Sequence, residues 1–177
     1  SRDTGVPVIE DCSHAHGATY GGRPCGGIGQ VGAWSLQGSK PASGGEGGVV
    51  ATNDVQAFER ACLIGQVNRV AGLDLVTDNY EHLQPLGLGI KFRAHPLGIG
   101  IASVQMNKLD ELNARRSAYI EAVEAGLGDL PGVEPMGVYP GAERGGFYGF
   151  FVRYDAEKAD GLSTDRFIAA LREEGLG

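Results

Sequence analysis

Acidic and imidazole side chains follow a short apolar run near the start of the chain. Asp11, His14 and His16 offer a carboxylate and imidazoles, which are groups that bind divalent metals. Their spacing matches no common zinc motif, and Gly17 after them indicates a turn. We therefore interpret them as polar residues that cap a helix after a strand, and we predict no metal site.

A lysine in a glycine- and serine-rich loop, residues 36–47, is the second candidate for chemistry. The string 38–40 ends like a phosphate-binding Walker motif. However, Pro41 stands where that motif needs a hydroxyl residue, and Ala33 or Trp34 stands where it needs a glycine. The residues therefore do not predict a nucleotide-phosphate loop of that type.

The position of Lys40 between two predicted strands indicates amine chemistry instead. A lone lysine is usually a solvated surface charge. A lysine in a short loop between apolar strands is partly desolvated and can form a Schiff base with an aldehyde. Pyridoxal phosphate is an aldehyde cofactor that also needs a carboxylate at its ring nitrogen and donors for its phosphate. Asp11 can supply the carboxylate, and Ser35 with the amides of the glycine-rich loop can supply the donors.

The elements that must position these residues alternate between strands and a helix. The apolar run Val6–Glu10 predicts a buried parallel strand whose end opens into a site. Val31–Ser35 and Gly48–Thr52 predict two further strands, one on each side of the glycine-rich loop. Asn53 or Asp54 then caps a helix. The pattern therefore predicts a sheet whose edge presents the candidate residues.

The second half of the chain is predicted to contain an irregular segment, two helices and a strand. Residues 65–96 mix turn residues with scattered leucines and predict an irregular excursion. Apolar residues three or four apart predict one long amphipathic helix from Leu97 to about Leu127. Phe147–Tyr154 predicts a strand, and Ser163 or Thr164 caps a last helix.

Composition excludes several classes of protein. The 177 residues suffice for about one domain, with 42% hydrophobic and 21% charged side chains. The 15 basic and 22 acidic residues give a net charge of −7, which argues against nucleic acid as a partner. Three cysteines without paired spacing indicate reduced thiols and a cytoplasmic protein, and no apolar run is long enough for a membrane helix. Because the chain lacks an initiating Met and stops just after a predicted helix, we expect it to be part of a longer protein.

Four strings of residues carry the chemistry-bearing positions in a fixed order. They are 9–17 (IEDCSHAHG), 34–40 (WSLQGSK), 45–48 (GEGG) and 52–54 (TND). Together they resemble the sugar aminotransferases of the DegT/DnrJ/EryC1/StrS family, which are pyridoxal-phosphate enzymes. The resemblance continues into the predicted long helix and covers the chain to about residue 125.

The resemblance implies a role for five residues. Lys40 is implied to bond to the cofactor and to carry protons between substrate and cofactor. Asp11 is implied to pair with the pyridine nitrogen, and Ser13 to lie against the ring face. His14 stands where many members have glutamine and is implied to reach the phenolic oxygen, while Ser35 is implied to hold the phosphate.

A sixth residue departs from the family pattern. Lys91 precedes Phe92 and Arg93 where many members have asparagine. In the family this stretch reaches the phosphate of the adjacent subunit's cofactor, and a lysine can still bind a dianion. The resemblance therefore implies a homodimer with shared active sites.

The resemblance also implies a fold and its division into domains. The expected class is α/β, the pyridoxal-phosphate-dependent transferase fold type I, with a mainly parallel sheet between helices. Residues 1–100 are expected to form the C-terminal portion of the large cofactor-binding domain. Residues 101–127 are expected to form a long connecting helix, and residues 128–177 to begin a small α+β C-terminal domain.

The implied activity moves an amino group from glutamine or glutamate to a keto sugar or keto-cyclitol, in amino-sugar, aminocyclitol or antibiotic biosynthesis. Two alternatives stay open. The string 14–17 (HAHG) also occurs in the amino-hydroxybenzoate synthases of the family, which dehydrate and aromatise. The family's sugar dehydratases replace the lysine with histidine, so Lys40 argues against that branch. The other alternative is a non-catalytic member, which retention of Asp11, Ser35 and Lys40 together disfavours.

Overall fold

Short strands and α-helices alternate along the chain. The structure is a computed structural model that describes residues 3–64, 75–83 and 91–176. A short 3₁₀ helix spans Asp78–Leu83, and most of the predicted excursion over 65–96 lies outside the described residues. The other elements are β1 (Ile9–Asp11), β2 (Thr19–Tyr20), β3 (Arg23–Pro24), β4 (Val31–Ser35), β5 (Gly48–Thr52), α1 (Val55–Leu63), α2 (Pro96–Met106), α3 (Leu109–Leu127), β6 (Val133–Pro135), β7 (Ala142–Glu143), β8 (Val152–Tyr154) and α4 (Thr164–Glu173).

A three-stranded sheet of order β1-β4-β5 carries the first predicted strands. β1 is parallel to β4 and β4 is antiparallel to β5, so the described part of this sheet is mixed where we predicted it mainly parallel. β1 begins at Ile9 rather than at Val6. Pro7 has no amide hydrogen to donate to a ladder, and the Val8 amide donates to the side chain of Gln30 (2.6 Å). The predicted strands at 31–35 and 48–52 are confirmed.

A carboxylate of β1 holds the turn that leads into β4. Glu10 accepts hydrogen bonds from the amides of Gly26 (2.7 Å), Ile28 (2.8 Å) and Gly29 (2.6 Å). Burial alone would raise the pKa of Glu10, but these three amides together with the charge of Arg23 hold the pKa below 4.5. A single ionised side chain therefore joins the start of the sheet to the turn before its central strand.

The glycine-rich loop 36–47 closes between β4 and β5 as predicted. The Leu36 amide donates to the Gly47 carbonyl (2.9 Å), and the Gly44 amide donates to the Leu36 carbonyl (2.8 Å). Leu36 and Ala42 are buried, so the loop is anchored on both sides of Lys40. The loop is therefore a fixed support for the lysine rather than a flexible connection.

Close backbone approach at Gly44 yields a first prediction. A Cβ at this position would lie 2.6 Å from the Gly98 carbonyl oxygen on α2, so Gly44→Ala must displace the loop or the helix. We expect a loss of about 1–3 kcal/mol of stability, measured by urea unfolding. Gly100→Ala is the matched control, because a Cβ there meets nothing within 4 Å and alanine favours a helix. Equal stability of the two variants would contradict the prediction.

The predicted long helix from Leu97 to Leu127 is two helices. α2 ends at Met106, and α3 begins at Leu109 after the turn residues Asn107 and Lys108. The apolar spacing continues across the break, so periodicity alone did not reveal it. Asp110 and Glu111 lie in the first turn of α3, where acidic side chains stabilise a helix N-terminus. This local signal of a helix start was present in the sequence.

The last part of the chain forms a two-stranded ladder and a helix. β6 is antiparallel to β8, and Ser163 caps α4 as predicted. Only the last three residues of the predicted strand Phe147–Tyr154 form a strand, which is β8. Residues 147–151 are outside it and can contact other elements. β7 pairs with β2, which itself pairs with β3, so this ladder joins residues 142–143 to residues 19–24.

Candidate functional site

Two predicted residues lie at the ends of neighbouring parallel strands. Asp11 ends β1 opposite Ala33, and Ser35 ends β4 two positions further along. The carboxyl ends of parallel strands meet at one edge of a sheet, where ligands commonly bind. Lys40 follows in the loop directly after this edge and is half-buried. The topology therefore brings an acid, a hydroxyl and an amine to one side of the sheet.

Asp11 is held as an ionised carboxylate. The side chain of Ser13 and then its amide, which donates to Asp11 Oδ1 at 3.0 Å, lower the pKa of Asp11 below 3.8. Electrostatic interaction with His14 and Lys40 lowers this pKa further. No helix follows β1, so the predicted helix-capping role of these residues is wrong. Turns lead from β1 to β2 instead.

Ser35 and its neighbours form a chain of hydrogen bonds at the start of the lysine loop. Ser35 Oγ accepts from the Gln37 amide (3.2 Å). The Gln37 side chain accepts from the amide and the hydroxyl of Ser39 (2.9 and 2.6 Å). The Lys40 amide donates to the Gln37 carbonyl (2.9 Å). Oxygen acceptors thus fix the turn, and Ser35 can still donate its hydroxyl hydrogen to an anion.

An aromatic residue that the sequence did not single out touches two predicted site residues. Lys40 Nζ lies 4.0 Å from the centroid of the Tyr148 ring. The ring of His14 stacks on the same tyrosine, with centroids 3.8 Å apart and planes 9° apart. Tyr148 was expected inside a strand, and no motif marks it, so only the folded chain brings it here.

His16 joins the site to the rest of the fold. It is 3% exposed, and its Nε2 lies 3.0 Å from the Ser35 carbonyl, to which it donates as a neutral ring. The His16 carbonyl accepts from Asn113 Nδ2 on α3 (3.0 Å) and from the Gly146 amide (2.6 Å). Among the described residues, none forms a hydrogen bond with its Nδ1. His16 is therefore a buried connecting residue of the fold.

Burial of His16 makes stability depend on pH. Burial lowers the pKa of His16 below 6.5, so the unfolded chain binds this proton more tightly than the folded chain. We expect stability to be full above about pH 6.5 and to fall as the pH is lowered, by up to about 1.4 kcal/mol per pH unit. Urea unfolding of the intact protein between pH 5 and 8 measures this slope.

A matched pair of variants assigns the pH dependence to His16. His16→Gln keeps a donor for the Ser35 carbonyl and removes the titration, so its stability should change less between pH 5 and 6.5. His82→Gln alters an exposed histidine and should leave the slope unchanged. A wild-type slope in His16→Gln would show that another group is responsible.

No hydrogen bond or ion pair among the described residues joins the remaining predicted site residue, Lys91, to this site. Lys91 and Arg93 are exposed, and Lys91 forms no hydrogen bond or ion pair with any described residue.

Within residues 3–64, 75–83 and 91–176, no cluster of His, Cys, Asp or Glu is suited to a metal ion. None of the described helices is long and apolar enough to span a membrane. The three cysteines, Cys12, Cys25 and Cys62, are free.

Comparison with known proteins gives consistent matches in sequence. The pattern of the DegT/DnrJ/EryC1/StrS aminotransferase family matches residues 1–177. An L-glutamine:scyllo-inosose aminotransferase of Streptomyces griseus is 33% identical over 176 residues, which are 98% of this chain and 41% of that protein.

Solved structures also superimpose on this chain. The aminotransferase TlmJ of Streptoalloteichus hindustanus has a TM-score of 0.76 at 26% identity and covers 98% of this chain. A 3-amino-5-hydroxybenzoic acid synthase has the same TM-score, 0.76, at 28% identity and covers 99%. This chain spans 44% of each of these two proteins, which is less than half their length.

Proposed function

Because the chain belongs to the DegT/DnrJ/EryC1/StrS aminotransferase family and has the fold type I of its aminotransferases, we propose that the intact protein is a pyridoxal-phosphate-dependent aminotransferase. The amino donor is glutamine or glutamate, and the acceptor is a keto-cyclitol or keto sugar. The name of the Streptomyces griseus relative supports glutamine and a cyclitol ketone, and with them aminocyclitol or antibiotic biosynthesis. The observation that carries the proposal is that Asp11 and Ser35 end neighbouring parallel strands and that Lys40 lies in the anchored loop that follows.

The residues at the sheet edge fit the chemistry of this cofactor. An aldehyde needs an amine, a pyridinium needs a carboxylate, and a phosphate needs donors. Lys40, Asp11 and Ser35 are the proposed groups, because Asp11 and Ser35 end neighbouring parallel strands and Lys40 lies in the loop that follows. When bound, the cofactor supplies an electron sink for negative charge at the substrate carbon.

Asp11, Ser13 and His14 bind and orient the ring in this proposal. Asp11 stays ionised because Ser13 bonds to it, so it can hold a positive charge at the ring nitrogen. Ser13 lies two residues further and is half-buried, and it is proposed to lie against the ring face. His14, exposed on the same turn, is proposed to reach the phenolic oxygen.

Lys40 is the proposed general base. Its Nζ would carry a proton from the α-carbon of the donor to the cofactor, and in the second half-reaction from the cofactor to the carbon of the acceptor that receives the nitrogen. The loop 36–47 is fixed by backbone hydrogen bonds on both sides of the lysine, so the amine acts from a rigid support. Ser35, whose hydroxyl hydrogen is not used within the loop, is proposed to donate to the phosphate.

We propose that the intact protein is a homodimer with shared active sites. We also expect it to be located in the cytoplasm. Lys91 is exposed and has no ionic partner among the described residues, which suits a contact with a neighbouring subunit's phosphate. Leu97 and Ile101 on α2 are 73% and 54% exposed, as expected of a surface that another part of the assembly covers. Light scattering of the intact protein tests the dimer.

An absorbance spectrum followed by a donor screen tests the activity. The intact protein with pyridoxal phosphate should show the visible band of a lysine-bound cofactor. Glutamine or glutamate should then bleach this band as the cofactor takes up the amino group. Cofactor binding with no bleaching by any amino donor would contradict the proposal and favour a non-catalytic family member.

A second candidate function is a dehydratase or aromatase of the amino-hydroxybenzoate synthase type. The fold and 28% identity shared with the 3-amino-5-hydroxybenzoic acid synthase favour it, as does the string 14–17. The two functions differ in their products, because one transfers nitrogen and the other loses water. Mass spectrometry of a cyclic ketone incubated with the protein, with and without glutamine, separates them.

A further inference from the structure

The segment that carries Tyr148 is fixed against the site rather than loosely placed beside it. The Gly146 amide donates to the His16 carbonyl (2.6 Å), and Arg144 forms an ion pair with Glu124 on α3 (2.6 Å). A Cβ at Gly145 would lie 2.2 Å from the Ala18 backbone nitrogen, so the two segments pack with no room between them. The ring of Tyr148 is therefore presented by a supported segment.

The ring of Tyr148 contacts two predicted site residues, Lys40 and His14. The face of an aromatic ring attracts a lysine ammonium within about 6 Å, and here the distance is 4.0 Å. The stacked ring of His14 covers Tyr148 and restricts its rotation. A lysine side chain is otherwise a flexible stem with many conformations, so such a contact selects a few of them.

We propose that Tyr148 is a positioning residue that holds the free side chain of Lys40 against the face of its ring. The inference rests on the proposed function of Lys40, because an amine that moves protons must be held in place whenever it is not bonded to the cofactor. Tyr148 contributes this restraint from the C-terminal part of the chain. The aromatic face is the required feature, and the hydroxyl is not.

Amine labelling of the cofactor-free intact protein tests the contact. We expect Tyr148→Leu to raise the rate at which acetic anhydride modifies Lys40, followed by mass spectrometry, by about 2- to 30-fold. Tyr148→Phe keeps the ring face and should label at the wild-type rate. Tyr139→Leu is the control, because Tyr139 is 84% exposed and should leave Lys40 unaffected.

A measurement on the unsubstituted protein guards against misfolding of the leucine variant. Reductive ¹³C-methylation keeps the positive charge of each lysine and gives each an NMR signal. The Lys40 signal, assigned by its loss in Lys40→Arg, should lie upfield of the other lysine signals because of the Tyr148 ring current. A Lys40 signal among those of exposed lysines, or labelling in Tyr148→Leu at the wild-type rate, would overturn the proposal.

The effect on turnover separates positioning from mere packing. In single-turnover experiments with the amino donor, Tyr148→Leu should slow the chemical step by about 2- to 30-fold while Tyr148→Phe restores it. Equal rates in all three proteins would contradict the positioning role. The labelling and NMR tests need no cofactor, so they decide the contact even if Lys40→Ala keeps the cofactor's band and the proposed function fails.

Discussion

Lys40→Ala is expected to abolish the visible band that the intact protein develops with pyridoxal phosphate. The variant has no amine to bond to the aldehyde and no base at the position from which the proton moves. Turnover should fall by about 10²- to 10⁴-fold or more, because a positioned acid-base group usually contributes a factor of that size. Absorbance spectroscopy and a coupled assay for release of the keto acid measure the two losses.

Two further substitutions show whether the loss belongs to the amine of Lys40. Lys40→Arg keeps a positive charge near Asp11 but cannot bond to the aldehyde, so it should behave like Lys40→Ala. Lys108→Ala removes an exposed lysine between α2 and α3 and should retain the band and the activity. An unchanged spectrum in Lys40→Ala would remove Lys40 from the chemistry.

Asp11→Asn is expected to reduce turnover by about 10²- to 10³-fold, as loss of one charge-stabilising group does in other enzymes. The asparagine keeps the size of the side chain and can still accept from the Ser13 amide, so the turn after β1 should stay in place. Only the negative charge that would hold a positive ring nitrogen is lost. Steady-state kinetics, with circular dichroism as the check on folding, measure the effect.

The pH dependence of Asp11 sharpens this prediction. Hydrogen bonds from Ser13, and to a smaller extent electrostatic interaction with His14 and Lys40, hold the pKa of Asp11 below 3.8. The stability that this carboxylate contributes is therefore fully present above about pH 3.8. It is lost as the pH falls through the lower pKa that Asp11 has in the folded protein. Activity between pH 5 and 9 should show no acidic limb from Asp11. Asp129→Asn, at an exposed turn, is the charge-matched control, and an equal loss in that variant would contradict a specific role.

Local signals determined much of the architecture. The apolar runs at 31–35 and 48–52 became β4 and β5, and Asp54 caps α1 by accepting from the amides of Gln56 and Ala57. Such signals act between neighbours in sequence, through side-chain alternation and capping hydrogen bonds, so they are legible without tertiary structure. The break between α2 and α3 was not predicted, because the same apolar spacing continues through both helices and is typical of a single helix.

The sequence by itself determined which residue types stand at the ends of the first strands, and with them the family and the chemistry that Asp11, Ser35 and Lys40 suit. Only the tertiary structure decided what surrounds them. Tyr148 against Lys40, and Asn113 bonded to His16 97 residues away, depend on segments that meet only when the chain folds. The physical reason is that packing and desolvation depend on distance in space, whereas propensity and periodicity report only on neighbours along the chain.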